Sequence, residues 1–215
     1  MKKVAIVAAV MLLMGSASAQ EKEAGKKDWN LRIEFSDGMN VLGGSKGFAE
    51  YMHTYNPGLD YRGKSGTAVQ LGFAFSVEYR RLALGLHCDG MEGFSNRVTN
   101  QYVKKEDGQY FLDLGYRFDV GLGLTLEPTA GFGIGISEIY LATSRSGADY
   151  VNSFSTACFI VPLTLNLMSG HCGIFVQYSI DAGQIGKAHI TGLETEVDNL
   201  RFRPATLTFG TKVRF

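Results

Sequence analysis

The sequence predicts an all-β fold, an eight-stranded antiparallel up-and-down transmembrane β-barrel. Three observations predict it. Eight segments alternate apolar with small or polar residues at period two. The connections between them alternate between tight turns and long stretches. Glycine is high at 27 residues and aromatics make up 12% of the chain, with only four prolines, which is the composition of a barrel and not of a helical domain.

In the first segment Trp29, Leu31, Ile33 and Phe35 alternate with Asn30, Arg32 and Glu34. The second sets Val69, Leu71, Phe73, Phe75, Val77 and Tyr79 against Gln70, Gly72, Ala74, Ser76 and Glu78. Leu82, Leu84, Leu86 and Cys88 oppose Ala83, Gly85, His87 and Asp89 in the third. Tyr110, Leu112, Leu114, Tyr116 and Phe118 oppose Phe111, Asp113, Gly115 and Arg117 in the fourth. The fifth carries an apolar series from Leu122 to Ile136, including Pro128, against Glu127, Gly131, Gly133 and Gly135. Ala157, Phe159, Val161, Leu163 and Leu165 face away from Cys158, Ile160, Pro162 and Asn166 in the sixth. The seventh sets Ile174, Val176, Tyr178 and Ile180 against Gly173, Phe175, Gln177 and Ser179. The eighth sets Leu207, Phe209, Thr211, Val213 and Phe215 against Thr208, Gly210, Lys212 and Arg214.

No Asp, Glu, Lys or Arg stands on the apolar face of these eight segments. A basic residue there would cost roughly 2–4 kcal/mol at the bilayer midplane, so this face reads as lipid-facing. The opposite face is small and polar, as a narrow interior requires. A soluble barrel with reversed faces would need charges along every strand, and segments three, five and six have almost none. Tight turns are expected at Arg80-Arg81, around 119–121 and around 168–170. Long connections are expected at 36–66, 89–108, 137–153 and 182–200. Short turns on one side and long loops on the other are the transmembrane barrel pattern.

Met1-Lys2-Lys3, the apolar run to Met14 and Ala17-Ser18-Ala19 read as a removable secretory signal over 1–19. Residues 20–28 would be a short N-terminal periplasmic segment and 29–215 the barrel domain. Removing the signal leaves 19 basic and 21 acidic residues, a balance that offers nucleic acid no basic face. Strand parity points Cys158 to one face and Cys88 and Cys172 to the other, so no disulfide is expected between Cys158 and either.

On this pattern the chain resembles the small OmpA/OmpX-type barrels, the generic outer-membrane β-barrel or porin-family proteins of Gram-negative bacteria. The resemblance implies a bacterial outer-membrane location with both termini periplasmic. It also implies that Phe209, Val213 and Phe215 form the C-terminal signal read by the barrel assembly machinery. It implies no particular activity. The expected surroundings are outer-membrane lipid and an extracellular ligand met through the loops, with the protein a monomer and no cofactor or metal.

Several motifs in the chain have plainer structural readings. Gly58 to Ser65 matches the phosphate-loop pattern but precedes an alternating strand and not a helix, so it reads as coincidence. Gly131, Gly133 and Gly135 fall on the interior face and relieve crowding. His53, His87, His171 and His189 lack metal-site spacing. The His-x-Ser pair of lipid A deacylases is absent at His87, His171 and His189. A palmitoyltransferase-like set of Ser146, Asp149 and His189 is weak. The inward charges Arg32, Glu34, Glu78, His87, Asp113, Arg117, Glu127, Lys212 and Arg214 read as an ion-paired plug, because unpaired buried charge is costly. Pro128 and Pro162 each remove a ladder donor from an edgeless sheet. With inward Phe111, Ile160 and Phe175 they define a lateral seam that, by resemblance to the palmitoyltransferase barrels, would admit lipid; a curvature-setting bulge is the plainer alternative. The primary expectation is a non-enzymatic barrel for envelope integrity or surface interaction. A lipid-handling barrel and a narrow pore are the rivals.

Overall fold

The computed structural model describes residues 29–41, 67–98, 101–142, 150–191, 195–197 and 207–215. Among them are ten strands: β1 (Trp29–Val41), β2 (Thr67–Tyr79), β3 (Leu82–Val98), β4 (Gln101–Tyr116), β5 (Phe118–Gly121), β6 (Leu124–Ala142), β7 (Tyr150–Ser169), β8 (Cys172–Thr191), β9 (Thr195–Val197) and β10 (Leu207–Arg214). Every paired neighbour is antiparallel, and β10 pairs with both β1 and β8, which closes the sheet. The barrel has eight staves. β5 continues the line of β4: Gly115 pairs with Thr129 and Phe118 with Leu126 in one unbroken register along β6. The short β9 lies beside the far end of β8.

Closure removes the unpaired edge that would otherwise recruit other chains. The last turn of the ring is made by backbone alone. The Ile33 N–H donates to the Phe215 carbonyl at 3.0 Å, and the Phe215 N–H donates to the Ile33 carbonyl at 2.9 Å. Following one row of partners from Ile174 through Thr211, Asp37, Leu71, Gly90, Gly108, Ile136 and Ala157 returns to β8 at Ile185. The row climbs as it goes round, and this stagger is what tilts barrel strands.

The two faces separate as the alternation requires. Leu31, Val69, Leu71, Leu84, Leu86, Leu112, Leu114, Phe132, Ile174 and Val176 stand exposed on the exterior. In water such a continuous apolar wall would be an aggregation surface; a lipid surround makes it favourable. At the turn end, Trp29 and Tyr79 rings lie 4.6 Å apart and Tyr116 and Phe118 rings 4.7 Å apart, as in an interfacial girdle. The tight turns fall at Arg80-Arg81, Leu122-Gly123 and Gly170-His171. The second and third sit slightly beyond the sequence expectation.

The long connections are corrected more strongly. β3 runs on to Val98 and β4 starts at Gln101, so the region 89–108 is mostly a hairpin extension. β6 and β7 likewise reach Ala142 and Tyr150, and β8 reaches Thr191. Beyond the lipid band the outward face no longer has to be apolar, so hydropathy loses its period while the backbone ladder continues. β1 also extends past Phe35, which places Asp37 outward on a face that the sequence alone reads as charge-free. The signal segment 1–19, residues 20–28 and the Gly58–Ser65 match lie outside the described residues, as do Ser146, Asp149 and His53.

Candidate functional site in the barrel lumen

Inward positions on β1, β2, β6 and β10 converge near the turn end because period two directs every second side chain to the axis. Glu127 of β6 is the hub. Its carboxylate accepts from Arg32 Nη1 at 3.2 Å and from Arg214 Nη1 and Nη2 at 3.1 and 2.9 Å. Arg32 also pairs with Glu78 of β2. Arg117, at the break between β4 and β5, reaches Glu78 at 2.9 Å. Glu34 holds Lys212 at 3.0 Å and also binds Arg214. Lys212 lies 5.6 Å from the centre of the Phe175 ring, a cation–π placement. Arg32, Glu34, Glu78, Glu127, Lys212 and Arg214 are all buried. Bidentate guanidinium–carboxylate contacts of this kind are the strong form of ion pair.

One layer further in, His87 Nε2 lies 3.1 Å from Asp113 and the imidazole stacks on Phe111 at 4.6 Å. Phe111, Cys158 and Ile160 form an apolar cluster inside the barrel, and the inward Phe175 is also buried. The bare glycines of β6 make room for it: a Cβ on Gly133 would collide with the Tyr110 carbonyl and with Phe111. Above, an amide layer continues the plug. Gln177 Nε2 donates to Gln109 Oε1 at 3.2 Å, and Ser179 donates to the same oxygen at 2.9 Å. Asn40 bonds Thr208. The space left amid Glu34, His87, Asp113, Glu127 and Lys212 is about 10 Å³, room for roughly one water.

No family model matches this chain, and no curated protein matches it. Solved structures do. The crystal structure of Neisserial surface protein A aligns over 89% of this chain and 100% of that one, with 10% identity and a TM-score of 0.47. A major outer membrane protein from Thermus thermophilus aligns over 86% and 99%, with 10% identity and a TM-score of 0.47. Ail, the attachment invasion locus protein of Yersinia pestis, aligns over 86% and 97%, with 10% identity and a TM-score of 0.44. The fold of the present chain rests on its own closed ladder.

The prolines do not share one opening. Pro162 points inward and Pro128 outward. The β6–β7 ladder holds at Pro128–Leu165, lapses between Ala130–Leu163 and Gly133–Ile160, and then resumes. The gap therefore lies where the Pro162 nitrogen has no hydrogen to offer. Pro128 stands at a second gap, opposite Tyr116 and Arg117, where β4 gives way to β5. Each proline thus interrupts a different neighbour of the ladder. An apolar groove of about 580 Å³ does lie at Pro128, lined by Tyr116, Ala130, Leu163, Leu165 and Tyr178. Those side chains belong to the exterior, so the groove faces lipid and not the lumen.

Several buried charged residues are absent from the inward charge set read from the sequence. Asp89 is buried, and Lys105 pairs with Asp107 at 3.3 Å in a stretch read as loop. The signal was present: Lys105, Asp107 and Gln109 share parity with Phe111 and Asp113. Cys158 is buried while Cys88 and Cys172 are exposed, and all three are free thiols. His171 Nδ1 lies 2.9 Å from the Arg214 carbonyl. His189 sits on the far part of β8. Among the described residues no group of His, Cys, Asp or Glu could hold a metal ion.

Far beyond the apolar band, Lys104 on the outside of β4 bridges Glu106 and Glu92, the latter at 3.0 Å. Partial burial works against its charge, but hydrogen bonds and attraction from Glu106 and Glu92 outweigh this and hold the ammonium above its ordinary value. This ties the extended β3–β4 hairpin from its outer side.

Proposed function

We propose that the protein is a non-enzymatic β-barrel of the bacterial outer membrane, with periplasmic termini. It would support envelope integrity or present its extracellular end for surface interaction. One observation carries this reading: the lumen is crossed by the Arg32–Glu127–Arg214 network with its branches to Glu78 and Glu34. A pore needs a continuous wet path, and a small-ligand site typically needs a cavity of at least about 300 Å³. The interior gap of about 10 Å³ is far below that. No nucleophile in this layer stands beside a free base, since the carboxylates are engaged by guanidinium and ammonium groups.

The extended hairpins then become the working part. They lift polar side chains beyond the apolar band on a stiff double-stranded support, as a surface-contact device requires. Reconstitution of the purified barrel in planar lipid bilayers tests the closed lumen. Conductance should stay at the baseline of the protein-free membrane over a wide voltage range. Discrete, reproducible current steps from the wild-type protein would overturn the reading and establish the narrow pore.

A further inference from the structure

Two glycines face each other on the outside of the barrel without serving its packing. Gly90 of β3 pairs with Gly108 of β4, both at outward positions. A Cβ on Gly90 would meet only the Leu71 carbonyl oxygen, at 3.9 Å, and one on Gly108 only the Tyr110 ring, at 3.4 Å and beyond. Neither has the positive φ that calls for glycine. Gly131, Gly133 and Gly210 differ, since a Cβ there would strike a neighbouring backbone. Glycine weakens a strand interior, and where the fold does not require it, it marks close approach of a ligand.

The bare pair floors a groove of about 820 Å³, with Val69 and Leu71 of β2 on one side, Ile136 of β6 on the other and Tyr110 below. That volume falls in the range of about 300–1,000 Å³ that small-molecule sites occupy. One row further out, Val69, Glu92, Glu106 and Glu138 are successive cross-strand partners, and the three carboxylates head the groove. Like charges directly opposite repel. Lys104 relieves the first pair by bridging Glu92 and Glu106. Glu138 faces Glu106 with only the Tyr140 hydroxyl as its partner among the described residues. Three carboxylates against one lysine leave the head of the groove negative.

Depth separates the two halves of the groove. Leu82 pairs with the girdle residue Tyr116, and Gly90 and Glu92 lie eight and ten residues further along β3. That is roughly 20 and 25 Å for a tilted strand rising about 3.3 Å per residue. The glycine floor thus lies inside an apolar band about 25 Å tall, and the carboxylates lie at its outer margin. An apolar chain suits the floor and a cationic head suits the margin. A purely anionic head would be repelled, and among the described residues no group of His, Cys, Asp or Glu could hold a metal ion. A primary ammonium has three donors, enough to join Glu106 and Glu138. We infer that this groove binds a membrane lipid with a primary-ammonium headgroup, its chain against Gly90 and Gly108 and its ammonium between Glu106 and Glu138. The inference rests on the membrane-spanning reading of the barrel.

The test titrates the purified protein in nonionic detergent with phosphatidylethanolamine, or with its N-acetylated form carrying the same chains, and reads binding by native mass spectrometry. One molecule of the amine lipid should bind, and the N-acetylated form at least fivefold more weakly. Glu138→Gln should weaken the amine lipid at least threefold. Gly90→Leu, for which the wall has room, should weaken it at least fivefold by filling the groove, while Ala130→Leu near the turn end should leave it unchanged. Heat-modifiable migration reports folding, and if Gly90→Leu does not fold, Glu138→Gln decides. Equal affinity for the two lipids, or binding indifferent to either groove variant, would overturn the site. A photoprobe at Val69 in native membranes should capture lipid; a protein adduct there would assign the groove to a protein partner and overturn the lipid. Failure of the folded protein to float with phosphatidylcholine vesicles would overturn the membrane reading, and the inference with it.

Discussion

Arg32 shows how little freedom single residues have inside this barrel. Its guanidinium is shared between Glu78 and Glu127, and all three side chains are buried. Removing one member leaves the others charged in a site that water does not fill, the circumstance in which breaking a buried pair costs about 3–5 kcal/mol. Arg32→Ala should therefore lower the midpoint of urea unfolding far more than Arg81→Ala. Arg81 pairs with Asp119 at 3.2 Å, but both side chains are more than half exposed, and such pairs are worth at most about 1 kcal/mol. Equal midpoints for the two variants would show that the lumen is wetter than its geometry implies. At this scale parity was legible, because Arg32, Glu34, Glu78 and Glu127 each alternate with apolar neighbours. Asp37 was not, since Ser36 and Gly38 around it look like the start of a loop.

Strand elements owe their continuity to backbone pairing, and the two prolines test that statement. The nitrogen of Pro162 lies at the gap toward β6, where Gly131 and Phe132 lack a pairing. Pro162→Ala restores a donor at that place, and one ladder bond is worth roughly 0.5–1.5 kcal/mol. The variant should unfold at higher temperature, and hydrogen exchange should show a new protected amide at residue 162. If the gaps serve to admit lipid, the same substitution would instead change the lipid that co-purifies with the barrel, which mass spectrometry reads. An unprotected amide with unchanged lipid would show that twist, and not the missing donor, opens the ladder. That both prolines lie on or beside β6 was visible in the sequence. Strand parity already set them on opposite faces; that they interrupt different ladders follows only from the register.

For the molecule as a whole, closure is the decisive event. β10 is eight residues long and holds both β1 and β8. Phe215 then adds two backbone bonds to Ile33 and a ring 6.4 Å from that of Phe35. Deleting Phe215 removes those bonds and the residue expected to signal assembly. The yield of heat-modifiable barrel in membranes should fall severalfold, while urea-denatured protein refolded in detergent should recover most of the barrel form. A loss of equal size in both settings would assign Phe215 to stability alone, and no loss in either would deny it both roles.

By itself the sequence determined that this chain is built of alternating strands with one lipid-compatible face, that its interior is polar, and which of its cysteines face apart. Period two suffices for these, because each residue's side is settled by its immediate neighbours. The tertiary structure alone decided which inward charges meet, that the strands outrun their apolar band, that the two prolines lie at separate gaps, and that Asp37 stands against lipid. Those depend on register and stagger, which bring Glu127 to Arg214 and Asp37 to Thr211 across long separations in the chain. A two-residue slip would keep every face and exchange every partner.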